Sequence, residues 1–454
     1  MPAALIRELV AIVGADNVLT DPDLLRGYEV DWTGRFVGAT TAVARPASAD
    51  EVSAIVALCR ARGAALVPQG GNTGLVGGGV PLHGEVVLSL RRLDLVGDVD
   101  VLARQITVGA GVTVEAVQRA ALAAGLRYAV DFGARGSATV GGTIATNAGG
   151  INVLRYGGTR EQLVGIEAVL GTGHLISRLN GLVKDNTGYH LPSLLCGSEG
   201  TLGIVTAARL RLVAAPAQHV TAIAGFATVA DAVEAVGLIR STFDRLDAAE
   251  LMLADGVALV CSSAGVPMPM AHPWAALVLL EASGSHDVVE SLGAVVEAAR
   301  SVGDVVVATD PQRRAALWRL REEHTASIGR LGVPHKFDVT IPAAMLARFV
   351  AEVPTVVAGV EPGARTWQFG HVGDGNIHVN VTGVVGPDDV LAETIYRYAC
   401  GLGGCISAEH GIGTAKARWL HLDRSADEVA AMRVLKHAFD PDGILNPAVL
   451  VPVT

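Results

Sequence analysis

His371 and His378 enclose the turn Val372-Gly373-Asp374-Gly375, and a second polar set follows downstream in Ser407-Ala408-Glu409-His410-Gly411-Ile412-Gly413. Ile377, Val379 and Val381 alternate with His378 and Asn380, the period of a half-buried strand, so His378 and Asn380 share a face. A Gly-Asp-Gly turn can fold His371 back toward them. Two imidazoles and the carboxylate of Glu409 are donors of the kind that hold a catalytic zinc ion, where three protein ligands leave one coordination position open. Spacing alone leaves two readings, a metal centre or structural histidines, because Glu409 is remote in sequence.

A second group of residues suits an anionic ligand. In Trp318-Arg319-Leu320-Arg321-Glu322-Glu323-His324-Thr325, Arg321 and Thr325 lie four apart and face the same way on a helix. The competing reading is a solvated helix laced with Arg and Glu pairs. A guanidinium can grip a carboxylate through two parallel hydrogen bonds. Arg supplies nearly all the positive charge of the chain, and Lys184, Lys336, Lys416 and Lys436 are its only lysines. Lys336, in Pro334-His335-Lys336-Phe337-Asp338, is therefore a less casual choice than a lysine usually is.

The elements that would position these groups begin as α/β. Thr41 to Arg45 reads as a strand ended by Pro46. Ser48 or Asp50 can cap a helix whose apolar stripe is Val52, Ile55, Val56 and Cys59, and Gly63 closes it. A second strand, Ala65 to Pro68, runs directly into Gln69-Gly70-Gly71-Asn72-Thr73-Gly74-Leu75-Val76-Gly77-Gly78-Gly79. Glycines placed straight after a buried strand let backbone N–H groups converge on a phosphate, whereas a flexible linker is rarely found there. The chain has neither a G-x-G-x-x-G nor a Gly-Lys pair, which argues against a Rossmann fingerprint and a Walker loop, and so against NAD and ATP. A second small-residue stretch, Asp131 to Gly150, follows a helix from Val114 to Ala124. It is too polar and glycine-rich for a good helix or strand. Two such loops suit a long dinucleotide with a large flat ring.

These motifs carry a resemblance. PQGGNTGLVGG, DFGARGSATVGGTIATNAGG, RYGG at Arg155 to Gly158, KDNTGY at Lys184 to Tyr189 and GSEGTLGIVT at Gly197 to Thr206 resemble, in order, the FAD domain of the vanillyl-alcohol oxidase and p-cresol methylhydroxylase superfamily. Within it, the chain resembles above all the D-2-hydroxyglutarate and D-lactate dehydrogenases. The resemblance implies an α+β chain: a two-subdomain FAD-binding fold, an α+β substrate domain and a C-terminal segment returning to the flavin. It implies FAD on Pro68, Gln69, Gly70, Gly71, Asn72, Thr73, Gly74 and Leu75. Further contacts come from Asp131, Gly133, Ala134, Ser137, Gly141, Gly142, Asn147, Gly149 and Gly150, then from Gly200, Thr201, Gly203, Ile204 and Asn446. No His or Cys stands in the first loop to tether the flavin, so non-covalent FAD is expected.

By the same resemblance His371, His378 and Glu409 bind a divalent metal, zinc by their donor types, and His410 is the base. Arg321, Thr325, Lys336 and Asn380 contact the substrate. The implied reaction is oxidation of a D-2-hydroxy acid, D-2-hydroxyglutarate foremost, with D-lactate or glycolate oxidation, or a flavin oxidase of the same fold, as alternatives. An external acceptor, a quinone or an electron-transfer flavoprotein, must reoxidise the flavin, and a homodimer is compatible with the family. The chain departs from its relatives at Ala129, at Arg135, after Asn446-Pro447 and around Glu250 to Leu253, departures that bear on the distal end of the substrate pocket.

Composition bounds the rest. The chain has 454 residues, half of them hydrophobic, enough for two or three domains. Its net charge of −10 argues against general binding to nucleic acid or an anionic membrane surface. Five scattered cysteines form no CxxC pattern, which suits a reducing cytoplasm. The N-terminus reads as an amphipathic helix with Leu5, Leu9, Ile12 and Val13 inward, without the marks of a signal peptide, and no apolar run approaches the roughly 18 residues of a membrane span. The Ala/Pro shift near 214–216 marks the end of the FAD domain, 1–215. A substrate domain, 216–400, with helices on one face of its sheet, and a C-terminal segment, 401–454, follow.

Overall fold

A computed structural model describes residues 2–386 and 388–451. The chain divides into two compact units: residues 1–150, 157–215 and 409–454 form the first, and 151–156 with 216–408 the second. The second unit extends past residue 400 because Cys405 N–H donates to the Thr340 carbonyl (2.9 Å) and Ala408 N–H to that of Asp338 (3.3 Å). That segment lies along the edge strand His335–Thr340.

The first unit opens with the helix Pro2–Val13, which buries Leu9 and Val13. Strands Val18–Leu19, Val43–Ala44, Val86–Ser89 and Leu66–Gln69 form a four-stranded sheet in that order. Between the second and fourth of these runs the helix Ala49–Arg62. Ser48 Oγ accepts from Glu51 N–H at its start, and Gly63 turns left-handed at its end (φ +59°). Val52, Ile55, Val56 and Cys59 are all fully buried, as the 3.6-residue stripe requires. An antiparallel five-stranded sheet follows, in the order Val96–Asp100, Gln105–Gly109, Gly203–Arg211, Leu163–Leu170, Leu175–Arg178. One apolar core runs continuously from Leu9 through both sheets to Leu445.

The small-residue stretch corrects its expectation, since Val140–Thr146 is a helix. Thr139 Oγ1 accepts from Gly142 N–H, and Val140 and Ile144 are fully buried in the core. Tertiary burial thus overrides the poor helix propensity of its glycines.

The second unit is a seven-stranded antiparallel sheet. Its order is Val305–Ala308, Gln218–Phe226, Ala276–Gly284, Leu246–Leu253, Arg365–His371, Asn376–Thr382, His335–Thr340. Helices cover both faces, not one. Val257, Val260 and Leu320, from helices Ala254–Ala264 and Pro311–Gly329, pack with Ile223, Met252, Leu277 and Leu279 on one face. On the other, Gln368 Nε2 donates to the Val350 carbonyl of helix Ala343–Val360 (2.9 Å). Antiparallel strands alternate their side chains, and this sheet is apolar enough on both sides to need two covers.

Helix Ala343–Val360 also revises the reading of apolar runs, because its 18 residues with a mean hydropathy of 1.5 reach the length and apolarity of a membrane span. It carries Arg348, Glu352 and an internal Pro354, and Leu346, Phe349, Val350, Val353 and Val357 form its buried stripe. That pattern is a helix covering a sheet.

Candidate active site

In the second unit, strand register decides which side chains meet. Glu250 pairs with His371, His371 with Asn376, Phe369 with His378, and Asp338 with His378. Directly opposed residues of antiparallel strands project to the same face. One face therefore gathers Glu250, His371, Asn376, His378 and Asp338. Lys336 and Asn380, themselves opposed, lie two residues further along it. The hairpin Val372–Gly375 brings His371 back, with Gly375 at φ +86° and its N–H donating to the His371 carbonyl (3.0 Å). The two imidazoles stand 5.4 Å apart, centroid to centroid, at 77°.

Each ring is anchored from behind by a buried carboxylate. His371 Nδ1 lies 2.6 Å from Glu250 Oε1 and His378 Nδ1 3.4 Å from Asp338 Oδ1, with both acids 1% exposed. Burial alone would push the Glu250 carboxyl up, but His371 and Arg321 beside it outweigh burial and hold it at about 2. It is thus a carboxylate at neutral pH and can only accept. His371 must carry its proton on Nδ1, so any ligating role of this ring runs through Nε2. A carboxylate behind a histidine is the arrangement that fixes the tautomer and orientation of metal-ligating imidazoles. Asp338 is itself held: Oδ1 accepts from Asn376 Nδ2 (2.7 Å) and Oδ2 from Ala408 N–H (3.2 Å).

Arg321, on the helix Pro311–Gly329, donates from Nε to Glu250 Oε2 (2.7 Å), and its guanidinium lies 4.6 Å from the centre of the Phe369 ring. Thr325 follows one helical turn later and is exposed, Lys336 is half-buried, and Asn380 is buried. Sequence reasoning missed Glu250 and Asp338 as anchors. Acids within a largely apolar strand, Asp247 and Glu250 in Leu246–Leu253, were the available signal.

On the same helix His324 is 1% exposed, and its Nδ1 donates to the Leu320 carbonyl (2.8 Å). Burial, reinforced by the neighbouring Arg321, depresses its pKa to about 4. A depressed folded value means that the unfolded chain binds the extra proton, so stability is intact above the ordinary value of 6.5 and is lost as pH falls toward 4. Denaturant titrations at pH 7, 5.5 and 4.5 should show a fall tending toward roughly 3 kcal/mol. His324→Phe should flatten it. A wild-type curve flat across this window would contradict the buried neutral ring.

In the first unit the glycine-rich segments interlock. A side chain on Gly71 would strike the Ser137 carbonyl at 2.0 Å, so the first loop can approach the second only without one. Arg91 donates to the carbonyls of Gly70 (3.1 Å) and Gly71 (3.2 Å) from outside. Among the described residues, the amides of Gly71, Asn72, Thr73, Gly74 and Leu75 meet no acceptor of the protein. Such a row of N–H groups fits a pyrophosphate. Gln69 and Asn72 serve the scaffold, Gln69 Nε2 donating to Tyr28 and Gly79 carbonyls and Asn72 Nδ2 to that of Val30.

Ser137 and Ala138 lead into Thr139, and Gly141 packs on Ala110. Asn147 caps the helix end in a left-handed conformation, and its Oδ1 accepts from Arg160 N–H (3.0 Å). Asp131 pairs with Arg135 (3.0 Å), Gly133 and Ala134 lie on the adjoining turn, and Gly149 and Gly150 end the stretch. Gly200 packs on Pro68, Thr201 accepts from Lys436 Nζ through its carbonyl (2.9 Å), and Gly203 and Ile204 begin a core strand. Asn446 Nδ2 bridges the carbonyls of Gly78 (2.9 Å) and Glu199 (2.8 Å). The last segment thus returns to these loops.

The same unit carries Glu409 and His410, with His410 Nε2 3.5 Å from Glu409 Oε1. Both follow directly on Ala408. His378 with Asp338 in the second unit, and Glu409 with His410 in the first, are each a pair of metal-ligating types. Imidazole and carboxylate are the donors a zinc-like dication takes.

The family pattern of FAD linked oxidases, C-terminal domain, matches residues 215–450, and that of the FAD binding domain matches 40–178. D-2-hydroxyglutarate dehydrogenase of Xanthomonas citri pv. viticola is 39% identical over 460 residues, covering 98% of this chain and 96% of that one. The mitochondrial D-2-hydroxyglutarate dehydrogenase of Bos taurus is 36% identical over 448 residues, covering 96% and 81%. Among solved structures, p-cresol methylhydroxylase with substrate bound superposes with a TM-score of 0.78 at 17% identity, covering 99% of this chain and 96% of that one. An alkyldihydroxyacetonephosphate synthase gives 0.77 at 19%, covering 98% and 84%; these two show a shared fold.

Proposed function

The chain belongs to the FAD-linked oxidases, among the D-2-hydroxyglutarate dehydrogenases, and from that membership we propose that it oxidises D-2-hydroxyglutarate to 2-oxoglutarate with FAD as hydride acceptor. The observation that carries the reading is the pair of imidazoles, His371 and His378, each backed by a buried carboxylate on one sheet face. A non-catalytic flavin-binding scaffold has no need of such a pair.

Bound FAD would supply the hydride acceptor, and a divalent cation on His371, His378 and Glu409 would supply the field that acidifies the substrate hydroxyl. Zinc suits these donors, and manganese or cobalt could take the same place. His410 takes the hydroxyl proton at a ring nitrogen. Arg321 grips the carboxylate next to the reacting carbon, while Lys336, Thr325 and Asn380 orient the rest of the acid. Electrons then pass to an external acceptor. A flavin oxidase acting on a phenol or sugar lactone is the second reading, and a purified protein devoid of metal would favour it.

Turnover of D-2-hydroxyglutarate, D-lactate, D-malate and glycolate with an artificial electron acceptor tests the proposal. No activity on any of the four would end it. The flavin should be non-covalent because Gln69 to Gly79 contains no nucleophilic side chain of the His or Cys type. Acid precipitation should leave yellow FAD in the supernatant, and colour retained in the pellet would overturn that part.

A further inference from the structure

The segment that carries His410 is fastened to the dinucleotide loops by one side chain that no step above uses. Glu199, in Gly197-Ser198-Glu199-Gly200, is buried, in the left-handed region at φ +51°, and held at its own N–H by the Ala145 carbonyl (2.7 Å). Its two carboxylate oxygens each accept one backbone N–H: Oε1 from Ile412 (2.8 Å) and Oε2 from Gly413 (2.7 Å). These are the second and third residues after His410. On the far side of the same turn, Thr414 and Ala415 N–H donate to the Val76 carbonyl (3.0 and 3.1 Å), and a side chain on Gly413 would strike that oxygen at 2.1 Å. Leu450 N–H donates to the Gly413 carbonyl (3.1 Å). The turn thus lies between Glu199 and the Val76 carbonyl of the first glycine-rich loop, and Glu199 holds two of its backbone N–H groups.

We propose that Glu199 is a positioning residue for His410: its carboxylate clamps the Gly411–Gly413 turn and so fixes the base against the flavin loops. The inference rests on the reading of His410 as base. A carboxylate that accepts two backbone N–H groups makes strong, charge-assisted bonds, and it fixes two successive peptide planes at once. With those planes fixed, the imidazole two residues upstream has only its own side-chain torsions left to set. Glu199→Gln keeps the volume but presents an NH2 to one of the two N–H donors, which breaks half of the clamp.

Three measurements on the FAD-loaded enzyme decide it. In the wild type, amide exchange followed by mass spectrometry should place Ile412 and Gly413 among the slowest amides of 409–416. Exchange as fast as that of exposed amides would overturn the clamp without any variant. In Glu199→Gln those two amides should exchange faster, and flavin reduction at saturating D-2-hydroxyglutarate should slow about 10- to 100-fold with KM little changed, the size expected when a reacting group is misplaced by about an ångström. In a His410→Ala background, Glu199→Gln should add no further loss, a non-additivity that a general folding role would not give. Full activity of His410→Ala would remove the base reading itself. An inactive His410→Ala beside a Glu199→Gln enzyme of wild-type rate with faster-exchanging amides would instead refute the positioning role alone.

Discussion

Replacing His378 with Ala is expected to lower turnover on the order of 10³-fold, the rate equivalent of about 4 kcal/mol, while the protein stays yellow. The magnitude follows from the ligand role proposed for the imidazole. A hydroxyl beside a carboxylate ionises far above neutral pH, and a dication lowers such values by several units. Without a ligand to hold the cation, the base faces an unactivated hydroxyl. Flavin retention is expected because Gly71 to Leu75, the amides proposed to hold the pyrophosphate, belong to the first unit and His378 to the second. The anchoring acids give a graded control. Asp338→Asn keeps the ligand but weakens the hold on its ring, and second-layer losses of this kind weaken metal affinity about 10- to 100-fold. Excess metal should therefore restore Asp338→Asn and leave His378→Ala inactive. Elemental analysis beside flavin absorbance reads both outcomes. A metal-free wild type with full turnover would sink the hypothesis for all these residues together.

The sequence and the structure agree most closely where the signal is local. The helix Ala49–Arg62 follows from its 3.6-residue stripe, Ser48 cap and terminal Gly63, and the strand Asn376–Thr382 from its alternation, which put His378 and Asn380 on one face. The turn after His371 was legible because glycine tolerates the left-handed backbone that Gly375 adopts (φ +86°). Glu250 was not legible as an anchor, because its pairing with His371 spans 121 residues and depends on strand order, which hydropathy patterning does not encode. The same limit hid Asp338, whose partner His378 lies two strands away in sequence but adjacent in the sheet. Helix Val140–Thr146 escaped for the opposite reason: local composition spoke against it and burial of Val140 and Ile144 decided. The scarcity of lysine was informative, although in an unexpected place. Lys416 and Lys436 are 4% and 5% exposed, and Lys436 spends its three donors on Thr201, Leu445 and Asp440, closing the tail onto the nucleotide loops.

Arg321→Ala is expected to cripple D-2-hydroxyglutarate and D-lactate alike, by about 10²- to 10⁴-fold in kcat/KM. Two charge-assisted hydrogen bonds to the carboxylate both acids share, at about 1.5 to 3 kcal/mol each, set that range. Arg321 has a second task that reinforces the loss. Its Nε holds Glu250, whose other oxygen orients His371, so the variant leaves a fully buried carboxylate with one cationic neighbour fewer. Arg321→Lys should recover little, since an ammonium cannot serve Glu250, the Phe369 ring and a carboxylate in one plane. The distal residues should discriminate where Arg321 does not. Lys336 and Asn380 are opposed across two strands on the site face, and together with Thr325 they offer more donors than a monocarboxylate requires. Asn380→Leu and Thr325→Val should therefore cost about 1 to 3 kcal/mol with the dicarboxylate and much less with D-lactate. The buried Asn380 should show the larger difference, because exposed Thr325 competes with water for any partner. Equal losses on both acids, or a wild-type specificity constant higher for D-lactate, would defeat the dicarboxylate assignment while leaving the role of Arg321 intact.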